Sequence, residues 1–499
     1  MDNPSTIVIL ILIIILIFNY ISLISSSNIS QIIKNMGIGY NLANTFDNYN
    51  YGSMVNNPFD QITLKGNSIP TKQMIKDIKK SGFKTIRFPV TWINFLDEQG
   101  NIDPQWMSLI KQVIDIIIKN NLYCILNVYG DGKDGNWLSK GMASIDKYIN
   151  LWTQIAEEFK NYDEYLIFES MDEIIYYTSN YKLDYDTYNY FSQIFVDTIR
   201  NANKYNKQRL LIISGFDSDF YSTSDDRFKI PIDPYNKLAL SIHYYYPNLF
   251  VLSKFYNEWG DEIDYQNLIE NFEKLKDNFI DKGIPIIISE IGVKTEEKKL
   301  LDSIYLYLHS IFSLALEYGM VPCLWDTSNK TFGDMNFYNR ETNQWYDEKI
   351  QNIFSLISRG KHIKPSDYYV MTNTIVNENN NKNCNLDISI LNQKPVKMII
   401  NATIKGKILE NIDNFFIYCY TVDETFSYIE IDPQNIQKQY DGTSIVNIDI
   451  SDYNCYSWIY TLILDIETLL FNNITVEFKE RFQFFDYNKF RNSFINSLH

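Results

Sequence analysis

The feature that most constrains the fold is a regular alternation of short apolar runs and longer segments with helical periodicity between residues 36 and 326. Apolar runs of this length are typical of buried parallel strands. Eight strands are predicted, at 36–42, 84–90, 122–129, 165–171, 209–215, 237–245, 284–290 and 321–326. With a closing helix near 347–358, this order predicts a (β/α)8 TIM barrel of the α/β class. A dinucleotide-binding sheet is disfavoured because no GxGxxG motif follows the first strand.

The pattern changes after Ser366, where short alternating runs such as KMIINATI and TSIVNIDI are separated by Asn-rich and Asp-rich turns. Such runs are typical of antiparallel strands in a β-sandwich. The chain has 499 residues, enough for two cores. We therefore predict a barrel domain at 31–362 and a smaller all-β, sandwich-like domain at 366–499. For the second domain, carbohydrate binding and a purely stabilising role both remain open.

The N-terminal segment 6–27 is uncharged and almost entirely aliphatic. Its length lies between that of a signal peptide's apolar region and that of a spanning helix. Residues 1–27 are therefore interpreted as either a cleaved signal peptide or a retained membrane anchor. Both interpretations place the barrel outside the cell or in a lumen, as a secreted or membrane-anchored glycoprotein, and four Asn-x-Ser/Thr sequons fit that compartment. They lie at Asn28, Asn329, Asn401 and Asn473.

Net charge narrows the choice of partner. The formal charge is −16 at pH 7, and a surface of that sign repels nucleic-acid phosphates. A neutral polysaccharide is easier to reconcile with it. We expect a monomer that touches a membrane only through its N-terminal segment. No Cys and His spacing suggests a metal site, no cofactor is expected, and Cys124 and Cys323 are predicted to be buried thiols.

Three carboxylates follow or end predicted strands. Asp172 and Glu173 come at the end of the fourth strand, and Glu290 ends the seventh. The carboxyl ends of barrel strands form the mouth where active sites lie. Two carboxylates facing each other there are the arrangement that a retaining glycosidase needs, with one serving as acid and the other as nucleophile. The pair Glu173 and Glu290 therefore predicts a glycoside hydrolase.

Seven ordered motifs carry a family resemblance that runs through about residues 31 to 358. The chain resembles glycoside hydrolase family 5, and the endoglucanase and xyloglucanase branch is the nearest match. The motifs are YNLANTFDN (40–48), IRFPVTW (86–92), NVYGDGKDGNWL (127–138), IFESMDE (167–173), SIHYYYP (241–247), IIISEIG (286–292), and LWDTSN (324–329) with FGDMNFYNR (332–340).

The resemblance implies that Glu173 is the acid/base and Glu290 the nucleophile. Arg87 would lie beneath the nucleophile and hold it ionised. His243 would contact the acid/base and Tyr245 the nucleophile. The resemblance also implies that Trp325 forms the floor on which a sugar stacks, and further cleft candidates are Asn44, Trp92 and Trp137.

The sequence departs from the family pattern at two places. Asp172 stands where the family has an Asn whose amide donates to the substrate 2-hydroxyl, and an ionised carboxylate cannot donate. Its charge is also expected to increase the proton affinity of Glu173. The family's histidine pair after the third strand is replaced by Tyr129 and Gly130.

Two hypotheses follow. The first is a retaining endo-β-1,4-glucanase, slow or altered in specificity, that acts on cellulose, xyloglucan or mixed-linkage glucan. The second is a cellulase-like protein, impaired or inactive, that binds glycan or serves as a surface structural glycoprotein. The presence of the carboxylate pair, Arg87, His243 and Tyr245 favours the enzyme, and Asp172 with the missing histidines favours the binder.

Overall fold

A computed structural model describes most of the chain up to residue 361 and the strands that follow it. The described residues are 29–48, 58–129, 145–173, 181–252, 258–260, 262–295, 301–328 and 335–361, together with the strands β11 to β19 defined below. The predicted signal or anchor segment 1–27 and the site candidate Trp137 lie outside the described residues. Within the described part of the chain, no helix is both long and apolar enough to cross a membrane.

Eight parallel strands close into a barrel in chain order, which confirms the predicted fold. The first strand pairs with both the second and the eighth. The strands are β1 (Gly39–Asn41), β2 (Thr85–Phe88), β3 (Tyr123–Asn127), β4 (Leu166–Glu169), β5 (Leu211–Asp219), β6 (Leu238–His243), β7 (Ile286–Ile291) and β8 (Val321–Leu324). Each strand overlaps the apolar segment in which it was predicted.

Helices fill the intervals between the strands. They are α1 (29–36), α2 (Lys72–Lys80), α3 (Pro104–Lys119), α4 (Ile145–Glu158), α5 (Tyr181–Asn201), α6 (Phe220–Thr223), α7 (Asn248–Val251), α8 (Glu262–Asn278), α9 (Leu301–Glu317) and α10 (Glu348–Ile357). Short 3-10 helices cover Pro58–Thr63, Ile93–Phe95, Lys204–Lys207 and Ile280–Lys282. A two-stranded hairpin of β9 (Tyr338–Asn339) and β10 (Gln344–Trp345) precedes α10.

Side-chain caps explain where the barrel helices begin. The Thr71 hydroxyl accepts a hydrogen bond from the backbone N–H of Met74 at 3.2 Å, and the Asp103 carboxylate accepts one from Gln105 at 2.7 Å. Asp347 caps α10 in the same way. Such caps satisfy backbone donors that have no partner within the helix, and each contributes about 1 kcal/mol.

Helix α1 packs across the amino-terminal end of the barrel. Its apolar side chains at Ile29, Ile32, Ile33 and Met36 are buried against residues from the first halves of the strands. That contact seals the end of the barrel opposite the mouth. A functional site is therefore expected at the carboxyl end.

Register shifts occur where the strands approach the mouth. Pairing between β6 and β7 shifts after Ile242, so that His243 becomes the partner of Glu290. A second shift separates Ile288 from Ile291 in the pairing of β7 with β8. Irregularities of this kind re-aim side chains beside active sites. Here they bring an imidazole next to a carboxylate.

After the barrel, the described elements are all strands, which confirms the predicted all-β region. They are β11 (Tyr369–Val376), β12 (Asn385–Asp387), β13 (Pro395–Ile404), β14 (Phe416–Tyr420), β15 (Phe426–Glu430), β16 (Ile436–Lys438), β17 (Thr443–Ile448), β18 (Thr461–Ile463) and β19 (Leu469–Arg481). Two antiparallel sheets form, in the orders β11-β19-β13-β17-β16 and β12-β18-β14-β15.

Contacts along the chain divide it into two compact units. The first comprises Met1–Tyr245, Gln266–Glu296 and Tyr307–Ile363, and the second comprises Tyr246–Tyr265, Glu297–Leu306 and Lys364–His499. All the barrel strands belong to the first unit.

The closure of the barrel between β1 and β8 depends on a glycine. Gly39 pairs with Cys323, and a Cβ added at Gly39 would lie 2.3 Å from Cys323 Sγ. Both Cys323 and Cys124 are buried free thiols, as predicted.

We expect Gly39→Ala to lower the free energy of unfolding by about 1–3 kcal/mol, because the added methyl group overpacks the β1–β8 contact. Thermal and denaturant unfolding of the purified protein would measure this. The double variant Gly39→Ala/Cys323→Gly moves the side-chain volume to the opposite strand and should recover part of the loss. Equal stability of Gly39→Ala and the wild type would contradict the packing argument.

Candidate active site

The predicted charged site residues come from three strands and from the loop after a fourth, which meet at the carboxyl end of the barrel. Arg87 lies in β2, His243 ends β6, and Glu290 lies within β7, which continues to Ile291. Asp172 and Glu173 were predicted to end β4, but that strand ends at Glu169 because its pairing with β5 stops there. The two residues lie in the loop that follows.

A buried guanidinium joins three carboxylates. Arg87 is fully buried, its Nε donates to Glu169 Oε2 at 2.7 Å, and its Nη1 donates to Glu290 Oε1 at 2.8 Å. Its Nη2 donates to Asp172 Oδ1. Asn41 Oδ1 accepts a further hydrogen bond from Nη1 at 3.2 Å. Burial opposes the charge on Arg87, but the three carboxylates outweigh it and raise its pKa well above the ordinary value.

Glu173 is held beside the imidazole of His243. Its Oε1 lies 2.9 Å from His243 Nδ1, and its backbone N–H donates to Ser218 Oγ at 3.1 Å. The backbone of Glu173 has φ of 38°, a left-handed conformation that non-glycine residues adopt rarely. Its side chain is 28% exposed, whereas that of Glu290 is 4% exposed. Glu173 is thus the more accessible carboxylate of the pair.

Glu290 is bound on its other side by a phenol. Tyr245 donates to Glu290 Oε2 at 2.7 Å, while Arg87 binds Oε1. His243 Nδ1 lies 3.5 Å from the same Oε2. The structure therefore brings His243 to Glu173 and Tyr245 to Glu290, in the contacts that the family resemblance implies.

The spacing of the two glutamates is bounded by their shared neighbour. His243 Nδ1 lies 2.9 Å from an oxygen of Glu173 and 3.5 Å from an oxygen of Glu290, so these oxygens cannot be farther apart than the two distances together. That limit applies to one oxygen of each carboxylate. It is compatible with the separation of about 5 to 5.5 Å between the carboxyl groups of retaining glycosidases.

The protonation of His243 and Glu290 depends on their burial and on the neighbouring charges. Burial opposes the charge on His243, but Glu290 and Asp172 outweigh it and raise the pKa of the imidazole well above its usual value. Burial raises the pKa of Glu290 to about 7, and Asp172 adds to the increase while His243 and Arg87 oppose it. Arg87, which was expected to hold Glu290 ionised, does act in that direction, but burial has the larger effect on the pKa.

Asp172 remains ionised despite its burial. Burial opposes its charge, but Arg87 and His243 outweigh that effect and lower its pKa below the ordinary value. Among the described residues, Asp172, His243 and Glu290 could together offer ligand atoms to a metal, all within 4.8 Å of one another. Arg87 binds Asp172 and Glu290, so its positive charge already compensates two of these three side chains.

Two aromatic rings lie near the carboxylates. Trp325, directly after β8, is half-buried, and its ring lies nearly parallel to that of Tyr129, at 18° with centroids 6.0 Å apart. Burial raises the pKa of Tyr129 well above its ordinary value, and Glu290 and Asp172 add to the effect. Tyr129 thus places a neutral phenol where the family resemblance implies a histidine.

The remaining candidates have other roles. Asn44 is buried, and its side-chain oxygen accepts from Lys65 at 2.9 Å rather than contacting the carboxylates. Trp92 was a candidate cleft residue, but it is fully buried and its Nε1 donates to the Asn127 carbonyl at 3.0 Å. Trp92 therefore belongs to the core. Trp137 lies outside the described residues.

The loop that carries Trp325 is fixed by buried polar contacts. Asp326 accepts hydrogen bonds from the Tyr40 hydroxyl at 2.7 Å and from the backbone of Ser328, also at 2.7 Å. The Arg340 guanidinium donates to the Asp326 carbonyl at 2.8 Å. These contacts anchor the backbone next to Trp325 to β1.

Sequence reasoning missed Glu169. Its carboxylate binds Arg87 and is 1% exposed, yet in the sequence it lies inside an ordinary apolar strand. A charge within such a strand is costly unless it is paired, so a glutamate in an apolar run indicates a buried ion pair. Asn41 was also missed, although it orients Arg87.

Comparisons with known proteins identify the family of the chain. The family model described as Cellulase (glycosyl hydrolase family 5) matches residues 47–331. The chain belongs to this family. It is a glycoside hydrolase of the cellulase type, with the closed (β/α)8 barrel described above.

Relatives at the sequence level are endoglucanases. Endoglucanase A of Clostridium longisporum is 32% identical over 365 residues, which cover 68% of each chain. Endoglucanase A of Paenibacillus barcinonensis is 30% identical, covering 66% of this chain and 90% of that one.

A solved structure, the GH5-4 broad specificity endoglucanase from an uncultured bovine rumen ciliate, aligns with a TM-score of 0.64 and 46% identity. The match covers 66% of this chain and 98% of that one.

The protonation of Glu290 predicts the acidic side of the pH profile. The family resemblance implies that Glu290 is the nucleophile, which must be ionised, so with a pKa of about 7 for Glu290 we expect kcat/KM to rise as the pH increases through this value. Asp172→Asn removes a neighbouring negative charge, which lowers the proton affinity of the whole cluster and should move this limb to lower pH. Glu98→Gln, which removes an exposed charge, should leave it in place. An unchanged limb in Asp172→Asn would contradict the electrostatic account.

Proposed function

We propose that this chain is a retaining endo-β-1,4-glucanase that hydrolyses β-glucan by double displacement. The observation that carries the proposal is the close pair of Glu173 and Glu290, bridged by the imidazole of His243. Such spacing is compatible with attack by one carboxylate on the sugar while the other donates a proton, as in retaining enzymes. Endoglucanases among the relatives support a β-glucan substrate.

In the first step, the Glu290 carboxylate attacks the anomeric carbon and forms a glycosyl ester. Arg87 and Tyr245 hold one oxygen each, which fixes the direction of attack. Glu173 gives its proton to the leaving oxygen of the glucan. In the second step, Glu173 takes a proton from water, and the water oxygen displaces Glu290 from the sugar.

The competing function is glycan binding without hydrolysis. It is favoured by Asp172, which cannot donate a hydrogen bond to a sugar hydroxyl, and by Tyr129 in place of a histidine. Activity and binding of the glutamate variants distinguish the two functions. Hydrolysis requires both glutamates, whereas binding to insoluble cellulose does not.

Purified protein is expected to release reducing ends from at least one of carboxymethylcellulose, xyloglucan and mixed-linkage glucan. Glu290→Ala should lower kcat roughly a thousandfold or more, because no covalent intermediate can form. Nuclear magnetic resonance of the first product should show the β-anomer, as retention requires. No product from any glucan, equal traces from Glu290→Ala, or a first product with the α-anomer would contradict the proposal.

Glu173→Gln tests the acid/base assignment separately. The variant should lose most of its activity on glucan, because the leaving oxygen can no longer be protonated. With a dinitrophenyl cellobioside, whose leaving group departs without a proton, the formation of the covalent intermediate should be largely retained. Equal losses on both substrates would show that Glu173 has another role.

We also propose that the barrel is exported, since the apolar segment 6–27 directly precedes helix α1 in the sequence. Helix α1 covers the end of the barrel opposite the active site. A retained anchor would therefore join the chain on the side away from the carboxylates. Fractionation of cells into medium, membrane and cytosol, with sensitivity to removal of N-linked glycans, would test export.

A further inference from the structure

One oxygen of the Asp172 carboxylate accepts no hydrogen bond from the described residues. Asp172 Oδ1 is bound by Arg87 and lies 3.4 Å from His243 Nε2, whereas Oδ2 is buried and has no partner among the described residues. The side chain is 1% exposed. A buried ionised oxygen without a donor is costly, because nothing replaces the hydrogen bonds it made with water. A ligand that donates to Oδ2 would remove this cost.

The cluster also has too few cations for its anions. It contains four carboxylates and two basic side chains, namely Glu169, Asp172, Glu173 and Glu290 with Arg87 and His243. Even with the imidazole charged, negative charge is in excess. A neutral sugar leaves this imbalance in place, whereas a cationic group on the substrate reduces it.

The position of Asp172 selects one part of the substrate. Asp172 and Glu290 bind the two terminal nitrogens of the same guanidinium, so Asp172 flanks the nucleophile. The nucleophile faces the anomeric carbon, whose ring neighbours are the ring oxygen and carbon 2. The ring oxygen carries no proton and cannot donate. Of these two neighbours, only carbon 2 carries a group that can donate a hydrogen bond to Asp172 Oδ2.

We propose that the site acts on a β-1,4-linked 2-amino sugar polymer, a chitosan-like glucan, and that Asp172 Oδ2 binds the 2-ammonium group of the sugar attacked by Glu290. This inference rests on the proposed function, because it uses Glu290 as nucleophile. A 2-hydroxyl could also donate to Oδ2, but an ammonium adds a charge-assisted hydrogen bond and offsets the excess negative charge. Asp172 is then a specificity-determining residue rather than a defect.

The test compares chitosan and cellulose oligomers of equal length on the full chain. Wild type, Asp172→Asn and the exposed-charge control Glu98→Gln are assayed below the pKa of the sugar amine, with glucosamine tetramer, cellotetraose and N-acetylglucosamine tetramer as substrates. We expect wild type to prefer the glucosamine tetramer. Asp172→Asn should change the ratio of kcat/KM for glucosamine tetramer over cellotetraose by about 10- to 100-fold towards cellotetraose. Glu98→Gln should keep the wild-type ratio, and the uncharged N-acetyl tetramer should be a poor substrate.

Calorimetric binding to Glu290→Gln gives a second readout that does not need turnover. It should show tighter binding of the glucosamine tetramer than of cellotetraose, and the preference should disappear in Glu290→Gln/Asp172→Asn. Thermal unfolding of each variant verifies that it is folded.

The outcomes separate this inference from the proposed function. Hydrolysis of glucan without hydrolysis of chitosan and without preferential binding of the amino sugar overturns the inference and leaves the glucanase proposal standing. Hydrolysis of chitosan alone, lost in Asp172→Asn, supports the inference and replaces neutral glucan as the substrate. An unchanged ratio in Asp172→Asn overturns the inference whatever the activity. If no oligomer is hydrolysed and none binds preferentially, both proposals fail.

Discussion

The buried guanidinium of Arg87 is the interaction on which the mouth of the barrel depends. It binds Glu169, Asp172 and Glu290, which come from β4, the loop after it and β7. Each of these carboxylates would be costly to bury alone, and so would the arginine. Removing Arg87 would leave the three carboxylates insufficiently compensated. The cation therefore determines both the packing of the mouth and the orientation of the Glu290 carboxylate.

The same arrangement explains why Asp172 is tolerated where the family resemblance implies an amide. A carboxylate at this position gains a charge-assisted hydrogen bond from Arg87, while it adds negative charge that raises the pKa of Glu290. Asp172 is thus accommodated in the folded protein by Arg87, whereas its charge opposes the ionisation of Glu290. Its consequence is the raised pKa of Glu290, which a cationic substrate group would counteract.

Much of the fold could be predicted from the sequence, because buried parallel strands are continuous apolar runs that need no partner to be identified. The site was less predictable. Glu173 and Glu290 stood out as carboxylates beside apolar strands, but Glu169 inside β4 did not, since its role depends on Arg87, 82 residues earlier in the chain. Trp92 was a candidate cleft residue and lies in the core instead, because the burial of an aromatic side chain depends on tertiary packing. Contacts between distant residues were the information that the sequence did not provide.

The structure also changes which residues indicate catalysis. Arg87, Glu169, Asp172 and Glu290 compensate one another in a buried cluster, so each of them has a structural partner whether or not it takes part in catalysis. Glu173 differs, because the contacts described for it do not include Arg87, and 28% of its side chain is exposed. Its backbone also adopts a left-handed conformation, which costs free energy. An exposed carboxylate beside His243 is therefore a more specific sign of a functional site than the buried carboxylate of Glu290.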